Sequence, residues 1–287
     1  MIARTAFVLA CVLCVPLITQ AHSDPEGDIH PDVVVEDGKF AIYFSARRDA
    51  YDHDQWRMVF TADGKIEQRR HLILTQRAES PQNLEHAGVD ARATSGSSTM
   101  SFVLQRTHNG KMTDVPLPLD PVKFPLVRSA TMAGDWVGFT WAANSQALDG
   151  PREEMPAPIQ LMFSMADVKN FTPGKTVLIG EPATIYDFPS ASNPVWAARR
   201  WWVAWVRRAQ GEAGRKDPTR KWETVLTSID PLTSKLEHKL LPGLSNWNTS
   251  LSMKTTGGWL CIAWHASMDG SYPGKASIIT AFEKLPQ

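Results

Sequence analysis

Acidic residues stand at the starts of two predicted strands, where they could act as acid and base. Asp32 and Asp90 each lie near the beginning of a strand in the repeated unit described below. Hydrolysis of a glycosidic bond needs two carboxyl groups on opposite sides of the bond, one protonated and one ionised. This pair supplies them if the two strands converge. The alternative is that both side chains cap strands and are solvated, with or without binding a ligand.

Other polar and aromatic residues stand near the starts of predicted strands. Imidazole, guanidinium, amide and indole groups fix ligands by hydrogen bonding and stacking. The candidate ligand-binding residues are His30, His86, Arg128, Asn193, Trp247 and Asn248. Trp247 lies between two asparagines and is the best candidate to stack on a sugar ring, with a place in the core as the alternative.

The N-terminus reads as a signal for export. Arg4 supplies a positive charge, and the apolar run Phe7 to Ile18 is followed by the small residues Thr19 and Ala21. This pattern predicts a signal peptide over residues 1–21 and a single domain over 22–287. The apolar run is too short to span a bilayer, so we expect a secreted or periplasmic protein without a membrane span in the mature chain.

The predicted cut suggests a second chemistry. It leaves His22 as the first residue, and a free α-amine together with an imidazole on that residue can chelate copper. His30 and His86 could complete the set of metal ligands. The alternative is a polar leader that binds no metal. The sequence assigns no other cofactor.

Charge and cysteine content limit the partners. Lys and Arg number 30, and Asp and Glu number 30, so the chain lacks the basic excess that nucleic-acid binding needs. Only Cys261 follows the predicted cut, so an intramolecular disulfide is excluded. Its apolar surroundings favour a packing role. We expect a monomer whose partner is a glycan or a protein of the cell envelope.

One sequence pattern recurs five times: a short alternating strand, a turn, and a strongly apolar strand. Asp37-Gly38, Gly134-Asp135 and Gly257-Gly258 supply the positive φ angles of tight turns. The second strand is apolar on both faces, which indicates that both are covered. Its terminal apolar residues are Phe44, Leu104, Trp141, Trp205 and Trp264. Their spacing predicts an all-β protein, a five-bladed β-propeller, or a six-bladed one if residues 106–128 hide another copy.

The repeats resemble the blades of the sialidase-like and five-bladed glycosidase-like propellers. The matching pieces are His30-Pro31-Asp32 before Gly38, and Asn193-Pro194 before the Trp201–Trp205 strand. The glycosidase resemblance implies an Asp in the first blade, an Asp in the second and a Glu in the third. By position, the candidates for these catalytic roles are Asp32, Asp90, and Glu153 or Glu154. The order Pro31-Asp32 reverses the Asp-Pro step of that family.

Three functions follow from these observations. The first is a carbohydrate-related propeller, either a glycan-binding module or a degenerate glycoside hydrolase. The second is a non-enzymatic interaction scaffold of the cell envelope. The third is a metal-binding protein that uses His22. If the protein is an enzyme, we expect it to be a glycoside hydrolase.

Overall fold

The protein is all-β in a computed structural model. The described residues are 17–20, 28–47, 52–77, 89–93, 99–108, 111–120, 122–123, 125–144, 159–170, 172, 174–180, 190–208, 222–243, 250–267 and 276–286. They form 20 strands, and no helix occurs among them. The strands make five antiparallel sheets. Within the described part of the chain, no helix is available to cross a membrane.

The five sheets follow one another along the chain. Blade 1 contains β2 (Asp28–Glu36), β3 (Lys39–Arg47), β4 (Asp52–Phe60) and β5 (Ile66–Arg77). Blade 2 contains β6 (Val89–Ala93), β7 (Thr99–His108) and β8 (Lys111–Pro116), and the short β9 (Val122–Lys123) also pairs with β7. Blade 3 contains β10 (Pro125–Ala133), β11 (Trp136–Asn144), β12 (Ile159–Asp167) and β13 (Lys175–Leu178).

The last two blades complete the series. Blade 4 contains β14 (Val195–Ala197), β15 (Arg200–Arg208), β16 (Trp222–Ile229) and β17 (Leu236–Leu241). Blade 5 contains β18 (Leu251–Thr256), β19 (Trp259–Ser267) and β20 (Ala276–Lys284), with β1 (Leu17–Gln20) as its outermost strand. The described residues between 106 and 128 lie in strands of blades 2 and 3 or directly beside them, and the chain forms five sheets, so the six-bladed alternative is wrong.

Apolar clusters join four pairs of neighbouring blades among the described residues. One cluster joins blades 2 and 3 through Phe102 and Trp141, and a second joins blades 3 and 4 through Phe163 and Trp201. A third joins blades 4 and 5. A fourth brings Cys261 and Phe282 of blade 5 against residues of blade 1, including Phe40. Because the last sheet packs on the first, the five-bladed propeller prediction is confirmed.

The five apolar anchor residues occupy one equivalent position. Each is the sixth residue of the second strand of its blade: Phe44 in β3, Leu104 in β7, Trp141 in β11, Trp205 in β15 and Trp264 in β19. The repeat recognised in the sequence is therefore a structural repeat. Cys261 is buried and free, as its apolar surroundings predict, and burial raises the pKa of its thiol.

Two-residue turns join the first and second strands of four blades. Asp37 and Gly38 have φ angles of 48° and 74°, and Gly257 and Gly258 have 56° and 78°. In blade 4 the same place is taken by Ala198 (φ 50°) and Arg199 (φ 59°). The left-handed region costs an L-residue with a Cβ roughly 1–2 kcal/mol, so this turn is strained.

β1 lies within the predicted signal peptide. Its backbone pairs with β20 from Leu17–Phe282 to Gln20–Ile279, and it is the fourth strand of blade 5. A cut after Ala21 would remove this strand. The cut itself stays a prediction.

Candidate functional site

The first strand of blade 1 begins with an irregular backbone. The pairing of β2 with β3 shifts register between Ile29 and Asp32, and His30 between them has a φ of 53°. This φ is uncommon for a residue other than glycine, and the proline at position 31 restricts His30 further. Strained residues and bulges of this kind concentrate at functional sites. His30 and Asp32 are both exposed here.

Two serines of blade 5 bind these residues of blade 1. The Ser250 hydroxyl lies 3.0 Å from Nδ1 of His30, and the Ser252 hydroxyl donates a 3.0 Å hydrogen bond to Oδ1 of Asp32. Ser252 Oγ also accepts the Val33 backbone N–H at 2.9 Å. Because residue 30 meets 250 and residue 32 meets 252, the innermost strands β2 and β18 run side by side in the same direction. We call the end at which both begin the ring mouth.

A buried imidazole supports this arrangement from blade 5. His265 is 2% exposed, and its Nδ1 accepts the Ser250 backbone N–H at 3.2 Å. A ring nitrogen that accepts a hydrogen bond carries no proton, so this contact favours the neutral tautomer protonated at Nε2. The ring of His265 also meets that of His30 edge-on, with centroids 6.2 Å apart. The backbone before β18 and the exposed imidazole are thus positioned by one side chain.

We define the mouth cluster as His30, Asp32, Ser250, Ser252 and His265. It presents an exposed carboxylate and an exposed imidazole, each oriented by a hydroxyl from the neighbouring blade. A carboxylate accepts hydrogen bonds from hydroxyl groups, and an imidazole donates or accepts them. The arrangement suits a ligand rich in hydroxyl groups. Glycoside hydrolysis would need a second carboxyl group about 5–9.5 Å from that of Asp32.

Apart from Asn193, the predicted site residues divide into three groups. His30 and Asp32 are brought together in the mouth cluster. Asp90 and Arg128 lie on β6 and β10, the first strands of blades 2 and 3, but their side chains are outside the described part of the structure. The remaining residues outside the described ranges are His22, His86, Glu153, Glu154, Trp247 and Asn248.

Asn193 lies at another junction. It is half-buried just before β14, and its backbone carbonyl accepts the Ser192 hydroxyl at 3.0 Å. The Ser192 carbonyl lies 3.5 Å from the hydroxyl of Ser129 on β10, which links blades 3 and 4. The ligand-binding role of Asn193 stays a prediction.

Sequence reasoning missed three members of the mouth cluster. Ser250 and Ser252 alternate at the start of a strand, so their side chains point to one side, which was the available signal. His265 follows the apolar run that ends at Trp264, and only the pairing of the strands places it beside Ser250. Among the residues that the structure describes, no three His, Cys, Asp or Glu side chains are grouped closely enough to hold a metal ion.

Comparisons with solved structures give distant likenesses to glycoside hydrolases. A GH43_1 enzyme from Xanthomonas citri, solved with xylose, is 15% identical with a TM-score of 0.43, and the alignment covers 93% of this chain and 90% of that one. CoXyl43, a β-xylosidase/α-arabinofuranosidase from a compost metagenome, is also 15% identical with a TM-score of 0.43, over 93% and 95%. An α-L-arabinofuranosidase from Lactobacillus brevis is 13% identical with a TM-score of 0.39, over 92% and 94%.

No protein-family model and no curated protein matches the chain. The five-bladed architecture rests on the sheets and clusters of this chain itself. The chain is an all-β propeller in which blades 1 and 5 form a hydrogen-bonded polar cluster at the ring mouth.

Proposed function

We propose that the protein binds a carbohydrate at the ring mouth. The observation that carries this proposal is the mouth cluster, in which the exposed His30 and Asp32 are oriented by Ser250 and Ser252 of the neighbouring blade. A sugar ring offers several hydroxyl groups, which donate to a carboxylate and exchange hydrogen bonds with an imidazole. The positive φ of His30 supports a functional role for its imidazole. Glycine or asparagine would adopt the same φ at a lower energetic cost if the imidazole were not needed.

We propose that the ring mouth binds a carbohydrate rather than hydrolyses it. The cluster supplies one carboxylate, Asp32, whereas hydrolysis needs an acid and a base on either side of one bond. The candidates for the second carboxyl group are Asp90, Glu153 and Glu154, whose side chains lie outside the described residues. The experiment therefore measures hydrolysis as well as binding.

The experiment is isothermal titration calorimetry with a panel of oligosaccharides derived from xylan and arabinan, and with sialyllactose. Asp32→Asn removes the charge but keeps an oxygen for Ser252, and His30→Asn removes the imidazole at a φ that asparagine tolerates. Each variant should weaken binding roughly 10- to 100-fold, the value of a hydrogen bond to a charged group. Asp37→Asn, in the exposed turn at the other end of β2, is the matched control and should bind like the parent.

Two results would refute the proposal. One is the absence of any heat of binding across the panel, which would favour the envelope scaffold. The other is that Asp32→Asn and His30→Asn bind the ligand as tightly as the control variant Asp37→Asn. Release of reducing sugar from the same substrates, abolished in Asp32→Asn, would turn the proposal from binding to hydrolysis.

A further inference from the structure

Blade 5 and blade 1 meet through an apolar cluster to which both blades contribute described side chains. Val33, Phe40 and Ile42 of blade 1 pack with Cys261 and Ala263 of blade 5. All five side chains are 0% exposed. The two sheets are the last and the first of the five along the chain, so the contact joins segments that are far apart in the sequence. We call this contact the closing junction.

The mouth cluster is continuous with the closing junction. Ser252 on β18 pairs with Ala263 on β19, so their side chains lie on one face of blade 5. Val33 links the two clusters from the side of blade 1. Its side chain packs in the apolar cluster, and its backbone N–H donates to Oγ of Ser252 at 2.9 Å. The polar contacts at the ring mouth and the apolar contacts beside them therefore belong to one contact between the two blades.

Ser252 orients the carboxylate of Asp32 across this junction. Its Oγ accepts the Val33 N–H, and its hydroxyl donates to Oδ1 of Asp32 at 3.0 Å. The direction of the second bond is fixed, because an ionised carboxylate only accepts hydrogen bonds. Separation of the blades would break both bonds and the contact between Ser250 and His30. The two exposed groups of the mouth cluster would then lose the orientation that blade 5 gives them.

We propose that a ligand at the ring mouth stabilises the closing junction against opening, and that the mouth binds its ligand only while this junction is closed. A ligand that binds one form alone shifts the equilibrium toward that form by a factor of 1 + [L]/Kd. The coupling is reciprocal, so a change that loosens the junction weakens binding. This coupling rests on the proposed function, since it needs a carbohydrate at the mouth.

Cys261 reports on the closing junction without a mutation. Its thiol is free and 0% exposed, and it packs against blade 1. Ala142→Cys adds a second thiol at a position that is also 0% exposed, in the apolar cluster between blades 3 and 4. The folded variant is treated with iodoacetamide, and mass spectrometry of the two peptides follows each reaction. The sugars added are those among xylotriose, arabinotriose and sialyllactose that bind in calorimetry.

At about ten times its Kd, the sugar should slow the reaction of Cys261 about tenfold and change the rate at position 142 less than about twofold. Global unfolding exposes both thiols, so stabilisation of the whole fold would slow both equally. Equal slowing, or an unchanged rate at Cys261 with a sugar that binds, would overturn the coupling and leave the proposed function standing. Absence of binding in calorimetry would overturn both. If Ala142→Cys does not fold, Ala204→Cys in the cluster between blades 4 and 5 replaces it.

A pair of serine variants tests the hydrogen bonds without ligand. In the Ala142→Cys background, Ser252→Ala removes two bonds across the closing junction and should make Cys261 react roughly 5- to 30-fold faster, with position 142 unchanged. Ser129→Ala is the matched control, because the Ser129 hydroxyl contacts the Ser192 carbonyl between blades 3 and 4. It should leave the rate at Cys261 unchanged. If Ser252→Ala does not accelerate Cys261, or Ser129→Ala accelerates it as much, the mouth cluster does not hold the closing junction.

Discussion

The strained turn of blade 4 provides a quantitative test of the repeat. Ala198 and Arg199 take the two places that Gly257 and Gly258 take in blade 5, and their φ angles are 50° and 59°. The double variant Ala198→Asn, Arg199→Gly installs the residues that such a turn prefers. Relief of strain at two residues would stabilise the fold by roughly 2–4 kcal/mol at most, from about 1–2 kcal/mol at each.

Part of that gain is offset in the unfolded chain. A new glycine increases the entropy of the unfolded state by an amount worth about 0.4–1 kcal/mol, and asparagine keeps some cost in the left-handed region. The expected net stabilisation is about 1–2 kcal/mol, or a rise in Tm of about 2–6 °C for a domain of this size. Urea unfolding followed by tryptophan fluorescence, with calorimetry for Tm, measures both quantities.

A matched control comes from the equivalent turn of blade 5. Gly258 has a φ of 78°, and a Cβ added there meets nothing within 4 Å, so Gly258→Ala changes the backbone energy alone. It should destabilise the protein by about 1 kcal/mol. If Ala198→Asn, Arg199→Gly leaves stability unchanged or lowers it while Gly258→Ala destabilises, the equivalence of the two turns is wrong.

Two further changes test the packing and the electrostatics. Gly138→Ala should cost about 1–3 kcal/mol in urea unfolding, because its Cβ would lie 2.9 Å from the Trp201 ring and 3.0 Å from the Phe163 ring; a cost below about 0.5 kcal/mol would contradict this close packing. The hydrogen bond from Tyr43, and then Arg57, hold the pKa of Glu36 below its ordinary value of 4.5. The stability that the ionised Glu36 carboxylate contributes is therefore present above pH 4.5, and it is lost as the pH falls through the lower pKa of the folded state. On going from neutral to acid pH, the urea concentration at the midpoint of unfolding should fall less in Glu36→Gln and in Tyr43→Phe than in the parent. If it falls equally in both variants and the parent, the role given to the Tyr43–Glu36 hydrogen bond is wrong.

The sequence predicts the fold well because the repeated segments contain the residue types that strands and tight turns require. Asp37-Gly38 and Gly257-Gly258 supply positive φ, and aromatic anchors such as Trp141 and Trp205 mark covered strands. The turn at Ala198-Arg199 carries no such signal, since neither residue prefers a positive φ. There the neighbouring strands impose the turn, as the pairing of Val195–Ala197 with Arg200–Trp202 shows.

The site is harder to predict because it joins residues about 220 positions apart. His30 and Asp32 were recognisable as polar residues at a strand start, but their partners Ser250 and Ser252 are ordinary residues of a distant strand. Only the closure of the ring, with blade 5 against blade 1, brings them together.

Cleavage after Ala21, which the sequence predicts, would change the outer edge of blade 5. While Leu17–Gln20 remains attached, its backbone satisfies the outer side of β20 between Ile279 and Phe282. A peptidase that cuts after Ala21 would strip away this strand, and the processed molecule would carry an unsatisfied edge that its precursor lacks. The precursor and the processed form would both keep blade 5 joined to blade 1 through Phe282 and the Ser252–Asp32 hydrogen bond. They would differ at the outer edge of β20, which could pair with a strand of another molecule only in the processed form.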